Sequence, residues 1–171
     1  QYPKEKSDTV TILEKIGHFL DDEVMSNLRS LKDEDIPNEQ AHAMIAQDLD
    51  VARILKRATK KFDGGYVLAG IIGNGDAFIL RDPDGIRPAY YYHDDEVVVV
   101  ASERPAIQSA FSIRFKEMQT LKPGHALIVK HDGTIAETLI TQPSEKPMSC
   151  SFETIYFSRG NDRTIYQNRK N

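Results

Sequence analysis

The spacing of apolar residues changes character near the middle of the chain. Val10, Leu13, Ile16, Leu20, Val24 and Leu28 recur every three or four positions. That spacing makes one stripe along a helix of 3.6 residues per turn. Ser7-Asp8-Thr9 precedes the stripe with three side-chain oxygens suited to an N-cap. Asp33-Glu34-Asp35-Ile36-Pro37-Asn38 interrupts it, and a second stripe runs through Ala41, Ile45, Leu49, Ala52, Leu55 and Phe62. One continuous second helix is predicted there, with Pro37 near its start, where a missing N–H costs little.

Beyond Gly64-Gly65 the period shortens to that of strands. "YVLAGII" is an apolar run suited to a strand buried on both faces. Gly73-Asn74-Gly75 predicts a type I′ hairpin turn, with "DAFILR" as the return strand. "AYYYH" and "EVVVVAS", joined by His93-Asp94-Asp95, form a second strand pair. Glu103 to Phe111 reads as a short helix. "HALIVKH", the turn Asp132-Gly133 and "TIAETLIT" form a third hairpin, and Pro143 to Pro147 is a loop. Helices followed by hairpin-linked strands imply an α+β domain with an antiparallel sheet.

Composition narrows the function. The 171 residues suit a single domain and 40% of them are hydrophobic, enough for a core. The net charge of -4 and the scattered basic residues argue against nucleic acid as a partner. Lys56, Arg57, Lys60 and Lys61 read as the solvated face of a helix. No stretch approaches the roughly 18 apolar residues that would span a bilayer, so no membrane role is expected. Cys150 is the one cysteine, which excludes a disulfide within the chain and a multi-cysteine zinc site. A lone thiol fits a reducing cytoplasm, and a buried small hydrophobe is its expected fate. The five histidines are dispersed without metal-ligand spacing, so no metal ligands are expected. The tyrosines at 90–92 alternate faces of a strand and read as packing residues.

"RDPDGIRPAYYY" (Arg81 to Tyr92) is first of all a turn. Pro83 presets one φ, and Gly85 tolerates a left-handed one. Asp82 and Arg87 are expected to pair across its mouth, a surface contact contributing about 0–1 kcal/mol. Together with "ASERPAIQ", however, this stretch resembles the Arg-Asp-x-x-Gly-Ile-(Arg/Lys)-Pro-Leu and (Ala/Ser)-Ser-Glu-x-x-Ala segments of class II glutamine amidotransferases, with Ala89 in place of Leu. "LKPGHALIVKHDG" and "CSFETIYFSR" (Cys150 to Arg159) are similar to the amidophosphoribosyltransferase branch rather than the asparagine synthetase branch. His125 replaces a usual Glu, and the match loosens at Gly160-Asn161-Asp162.

The resemblance implies an N-terminal-nucleophile hydrolase fold, an αββα sandwich with antiparallel sheets, here incomplete. Residues 1–149 would be a partial glutaminase domain, and 150–171 a linker arm toward an absent phosphoribosyltransferase domain. In such enzymes an N-terminal Cys attacks the glutamine side-chain amide, with its own amino group as base. The ammonia then passes to phosphoribosyl pyrophosphate, giving phosphoribosylamine at the entry to purine synthesis. This chain begins with Gln1 and carries its only thiol at Cys150, so no catalytic residue of the family is expected in it and it should be inactive alone. Asp8, in "SDT", matches the family position that binds the glutamine ammonium; the same residue also suits a helix cap, and the two roles are compatible. Magnesium would belong to the absent transferase domain. In one branch an iron–sulfur cluster uses a cysteine at the Cys150 motif, and this chain alone cannot build it. The expected partners are glutamine, phosphoribosyl pyrophosphate and further copies of the same protein in a homo-oligomer. Two other readings stay open: the glutaminase portion of an asparagine-synthetase-type enzyme, and a non-catalytic regulatory or assembly module of the same fold.

Overall fold

The computed structural model describes residues 7–146, Met148 and Phe152. These residues divide into two compact units: one gathers the N-terminal helices with the turn at 72–76, and the other holds the strands and the helix that follows the fourth strand. Cys150 and, Phe152 apart, the motif and arm predicted around it lie outside the described residues.

In the helical unit, α1 spans Asp8–Asp33, α2 Asn38–Gln47 and α3 Val51–Ala58. The first stripe packs as predicted from its third member on: Ile16, Leu20, Val24 and Leu28 lie against a core of Ile45, Leu49 and Ile54. Val10 and Leu13 do not join it, and Leu13 is 70% exposed. α1 ends where Asp35 takes a left-handed φ of 59° and the Ile36 N–H donates back to the Leu31 carbonyl, 3.1 Å away. That 6→1 bond is the mark of a Schellman stop.

The second predicted helix is two helices. Asp48 closes α2, and the Asp50 carboxylate accepts from Arg53 N–H at 2.9 Å to start α3. The break re-aims the apolar face, so Val51, Ile54, Leu55 and Ala58 are buried while Ala52 is only half-buried. The turn at 72–76 also differs from expectation. Gly75, with φ 93°, is its positive-φ residue, and Asn74 is not one. Gly75 N–H donates to Ile72 O (2.9 Å) and Ile72 N–H to Asp76 O (2.8 Å). This is a three-residue hairpin loop ending on a left-handed Gly, the G1-bulge form rather than type I′. The Asn74 amide donates to the Ala46 carbonyl at 2.8 Å, within the same unit.

The sheet unit contains two antiparallel sheets. The first has the order β1-β2-β6-β7, from β1 (Val67–Ile71), β2 (Ala77–Arg81), β6 (His125–Val129) and β7 (Ile135–Leu139). The second has the order β4-β3-β5, from β3 (Tyr90–His93), β4 (Val98–Ala101) and β5 (Gln119–Thr120). Ile79 of β2 pairs with Leu127 of β6, and Tyr91 of β3 pairs with Val100 of β4 and Gln119 of β5. The inner faces meet across Ile79, Ala89, Tyr91, Leu121 and Leu127. A shared apolar layer of this kind is what fixes a sandwich.

β1 is an edge strand, not one buried on both faces: Ala69 is exposed and Ile71 is 84% exposed. The helix α4 (Arg104–Phe111) packs on β3 and β4. Its Arg104 guanidinium stacks on the Tyr90 ring (4.2 Å) and the Phe115 ring (4.8 Å).

Candidate functional site

The loop that follows β2 is organised by its own two charged residues. Asp82 is fully buried. Its carboxylate does not meet the Arg87 side chain across a surface, as predicted. It accepts the backbone N–H groups of Ile86 (2.9 Å) and Arg87 (3.1 Å) instead. The reason is geometric: the turn at Pro83-Asp84-Gly85 folds the following N–H groups back over the aspartate, an Asx-type arrangement. Arg81 completes the loop from the other side. Its guanidinium donates to the carbonyls of Arg87 (2.7 Å), Leu121 (2.7 Å) and Gly85 (2.9 Å). Burial pulls its pKa below the usual guanidinium value, with Asp82 opposing the shift. Gly85 sits at φ 69°, where an L side chain would be strained.

The loop is then fastened to its neighbours. Asp82 N–H donates to Tyr66 O at 2.9 Å, and Gly124 N–H donates to Asp82 O at 3.0 Å. Ser144 N–H donates to Pro83 O at 3.0 Å, and the Ser144 hydroxyl to the Asp84 carboxylate. Gly65 lies so close to Ile86 that an added Cβ would sit 2.6 Å from its side chain.

Beside this loop the sheet unit opens into a cleft of ≈ 460 Å³, lined by Gly65, Tyr66, Val67, Arg87, Pro88, Ser102 and Glu103. The volume is within the ordinary range for small-molecule sites. The lining brings together one guanidinium, one carboxylate and two hydroxyls over an apolar floor. Burial, with the charges of Asp82 and Asp84, pushes the Tyr66 phenol up to about 12, so it is a neutral hydroxyl at ordinary pH. Glu103 holds the N-cap position of α4 in extended backbone. The cleft was not read from the sequence. Its signal was the meeting of Arg87-Pro88 with Ser102-Glu103, two stretches singled out separately as motifs.

Asp8, the one predicted site residue, is the first residue of α1 and is exposed. The N-cap position belongs to Ser7, whose side chain makes no cap bond and whose carbonyl accepts from Val10 (3.0 Å) and Thr11 (3.2 Å). Asp8 is therefore not the cap. It is an acid in the first turn, where negative charge suits the helix end. It does not line the cleft at Arg87 and Glu103. Among the described residues no three His, Cys, Asp or Glu side chains are grouped to hold a metal ion. Among them, too, no helix is long and apolar enough to cross a membrane.

No protein-family model matches the chain. Curated relatives do. The amidophosphoribosyltransferase of Methanothermobacter thermautotrophicus is 28% identical over 167 residues, 93% of this chain and 31% of the relative. That of Pasteurella multocida is 32% identical over 116 residues, 64% of this chain and 22% of the relative. The chain thus spans less than a third of the length of these relatives. Among solved structures, the glutamine phosphoribosylpyrophosphate amidotransferase of B. subtilis, complexed with ADP and GMP, superposes with a TM-score of 0.52 at 21% identity. The superposition covers 80% of this chain and 30% of that one. In sequence and in fold, the chain is similar to a portion of amidophosphoribosyltransferase, built as an α+β unit with antiparallel sheets that do not close.

Proposed function

We propose that this chain is the greater part of the glutaminase portion of an amidophosphoribosyltransferase-type enzyme acting in the cytoplasm. The observation that carries this reading is the likeness to a named amidophosphoribosyltransferase along 93% of the chain. The whole protein would hydrolyse glutamine and hand the ammonia to phosphoribosyl pyrophosphate, forming phosphoribosylamine. Glutamate and pyrophosphate are the other products. Enclosing the ammonia keeps it from water and supplies it at high effective concentration. The nucleophile, the phosphoribosyl pyrophosphate site and its magnesium belong to parts of the protein other than this chain.

Asp8 is the residue of this chain assigned to substrate. Its exposed carboxylate on the first turn of α1 would accept the α-ammonium of glutamine. A hydrogen bond to a charged group contributes about 1.5–3 kcal/mol. The test has two arms. The complete protein should convert glutamine and phosphoribosyl pyrophosphate to phosphoribosylamine, and the purified 171-residue chain should release no ammonia from glutamine. Absence of phosphoribosylamine, or glutamine turnover by the chain itself, would overturn the reading.

A further inference from the structure

We propose that residues 142–148 form a strap that lifts from the sheet unit on its own, hinged at Thr141–Gln142 and latched where Ser144 and Met148 meet Asp84. This device uses neither Asp8 nor the amidotransferase reading.

The anchoring of the chain changes at one point. Ile140 is buried, and the N–H groups of Ile140 and Thr141 both donate to the Gly124 carbonyl, at 2.9 and 3.0 Å. Beyond Thr141, none of the described residues up to Met148 is buried. Pro143 is half-buried, and Met148 is 58% exposed. A segment without buried apolar side chains opens at a lower free energy than the core it rests on. The hinge falls where that burial stops.

The bonds described for the strap converge on one turn. Ser144 N–H donates to Pro83 O at 3.0 Å, and Met148 N–H donates to Asp84 O at 2.8 Å. The Ser144 hydroxyl donates to the Asp84 carboxylate. Asp84 thus grips two strap residues, one through its side chain and one through its backbone. The bond to the carboxylate is charge-assisted, the stronger kind. Ser144 and Met148 are exposed, so water takes over their bonds when the strap lifts.

The turn holds its shape without the strap. The Asp82 carboxylate fixes it from inside through the N–H groups of Ile86 and Arg87. The Arg81 guanidinium does the same through the carbonyls of Gly85, Arg87 and Leu121. The latch therefore opens and recloses on an unchanged surface, which distinguishes it from a fraying end. Met148 stands two residues before Cys150 in the sequence, so the latch sets the point from which the Cys150 to Arg159 stretch continues.

The experiment is amide hydrogen exchange of the 171-residue chain, read residue by residue by NMR over a series of low urea concentrations. After correction for intrinsic rates, the Ser144 and Met148 amides should exchange at least about tenfold faster than the hydrogen-bonded amides of β2 and β6, with little dependence on urea. The Ile140 and Thr141 amides should follow the strands. Ser144→Ala and Asp84→Ala should each speed exchange at Met148 about tenfold or more, and the double variant no further than either alone. Ser144→Thr, which keeps the hydroxyl, should stay near the parent, and the Ile86 and Arg87 amides should not change in any of these variants. Exchange of Ser144 and Met148 with the urea dependence of the strands would overturn the proposal. So would a Met148 amide indifferent to both alanine variants, or faster exchange spreading to Ile86 and Arg87. The urea series uses the unaltered chain, so a variant that fails to fold does not rescue the idea. Failure here leaves the amidotransferase reading standing, because that reading rests on Asp8 and the complete protein.

Discussion

At Gly124 the backbone φ is 70°, and an added Cβ would lie 2.1 Å from the Thr141 carbonyl oxygen. The Gly124 carbonyl also accepts from Ile140 and Thr141, so the segment has little room to shift. Gly124→Ala should therefore destabilise the fold by roughly 3 kcal/mol or more, combining left-handed strain with a backbone clash. A urea midpoint within error of the parent would contradict this. Asp82→Ala removes the acceptor of two backbone N–H groups in a buried position and should cost roughly 2–6 kcal/mol, counting about 1–3 per unmade bond. Its importance was hidden in the sequence. "DPDG" announces a turn, but nothing local says whether the first aspartate points outward or closes the loop from inside.

Tyr91 makes the corresponding point about pH. Its hydroxyl lies 2.8 Å from the Glu137 carboxylate, to which it donates, and 2.9 Å from the Gln119 side-chain oxygen. Burial first, and then the hydrogen bond and charge of Glu137, push its pKa up to about 12, as burial does for Tyr66. A folded-state pKa raised above 10 means that the folded chain holds the proton longer than the unfolded chain. The stabilisation is complete below pH 10 and drains away as pH rises toward 12. Denaturant midpoints should fall across that window, and less steeply in Tyr91→Phe. An identical pH profile for the two proteins would contradict the assignment.

Among the elements, α1 and α3 are joined by a pair that no periodicity could disclose. Glu23 is buried in α1, and Arg53 of α3 reaches it through two donors, Nε to Oε2 at 2.8 Å and Nη2 to Oε1. Arg53→Ala strands a buried carboxylate and should cost roughly 2 kcal/mol or more, tempered because Arg53 is half exposed. Arg57→Ala, at the exposed Asp22 pair, should cost under about 1 kcal/mol. Comparing the two thermal midpoints checks the contrast; equal losses would contradict it.

The same helices show what the apolar pattern discloses and what it does not. Their existence follows from the stripes. The break between α2 and α3 escaped because Ile45 and Leu49 keep a helical step across it. The deciding signal was the capping acid Asp50, which a periodicity count ignores. β5, at two residues, is too short to show alternation at all. β1 looked doubly buried because its composition is apolar, yet its place at a sheet edge is set by which strand pairs with which.

For the whole molecule, the hairpins were legible one at a time. The β2–β6 pairing that joins the first to the third was not, because it links residues about 50 apart with no local turn between them. The overall architecture came instead from the resemblance carried by "RDPDGIRP", "ASERP" and "LKPGHALIVKHDG", in agreement with the superposition on the B. subtilis enzyme. The functional account then narrows to Asp8. External ammonia should bypass a glutaminase site altogether, which separates loss of glutamine binding from general damage.

The most direct test is steady-state phosphoribosylamine formation by the complete protein, with and without Asp8→Ala, using glutamine and then ammonium salt as the nitrogen source. The account predicts a KM for glutamine raised about 10–100-fold, from losing about 1.5–3 kcal/mol, and an unchanged ammonia-dependent rate. An unaltered KM for glutamine, or no phosphoribosylamine from either nitrogen source, would contradict it.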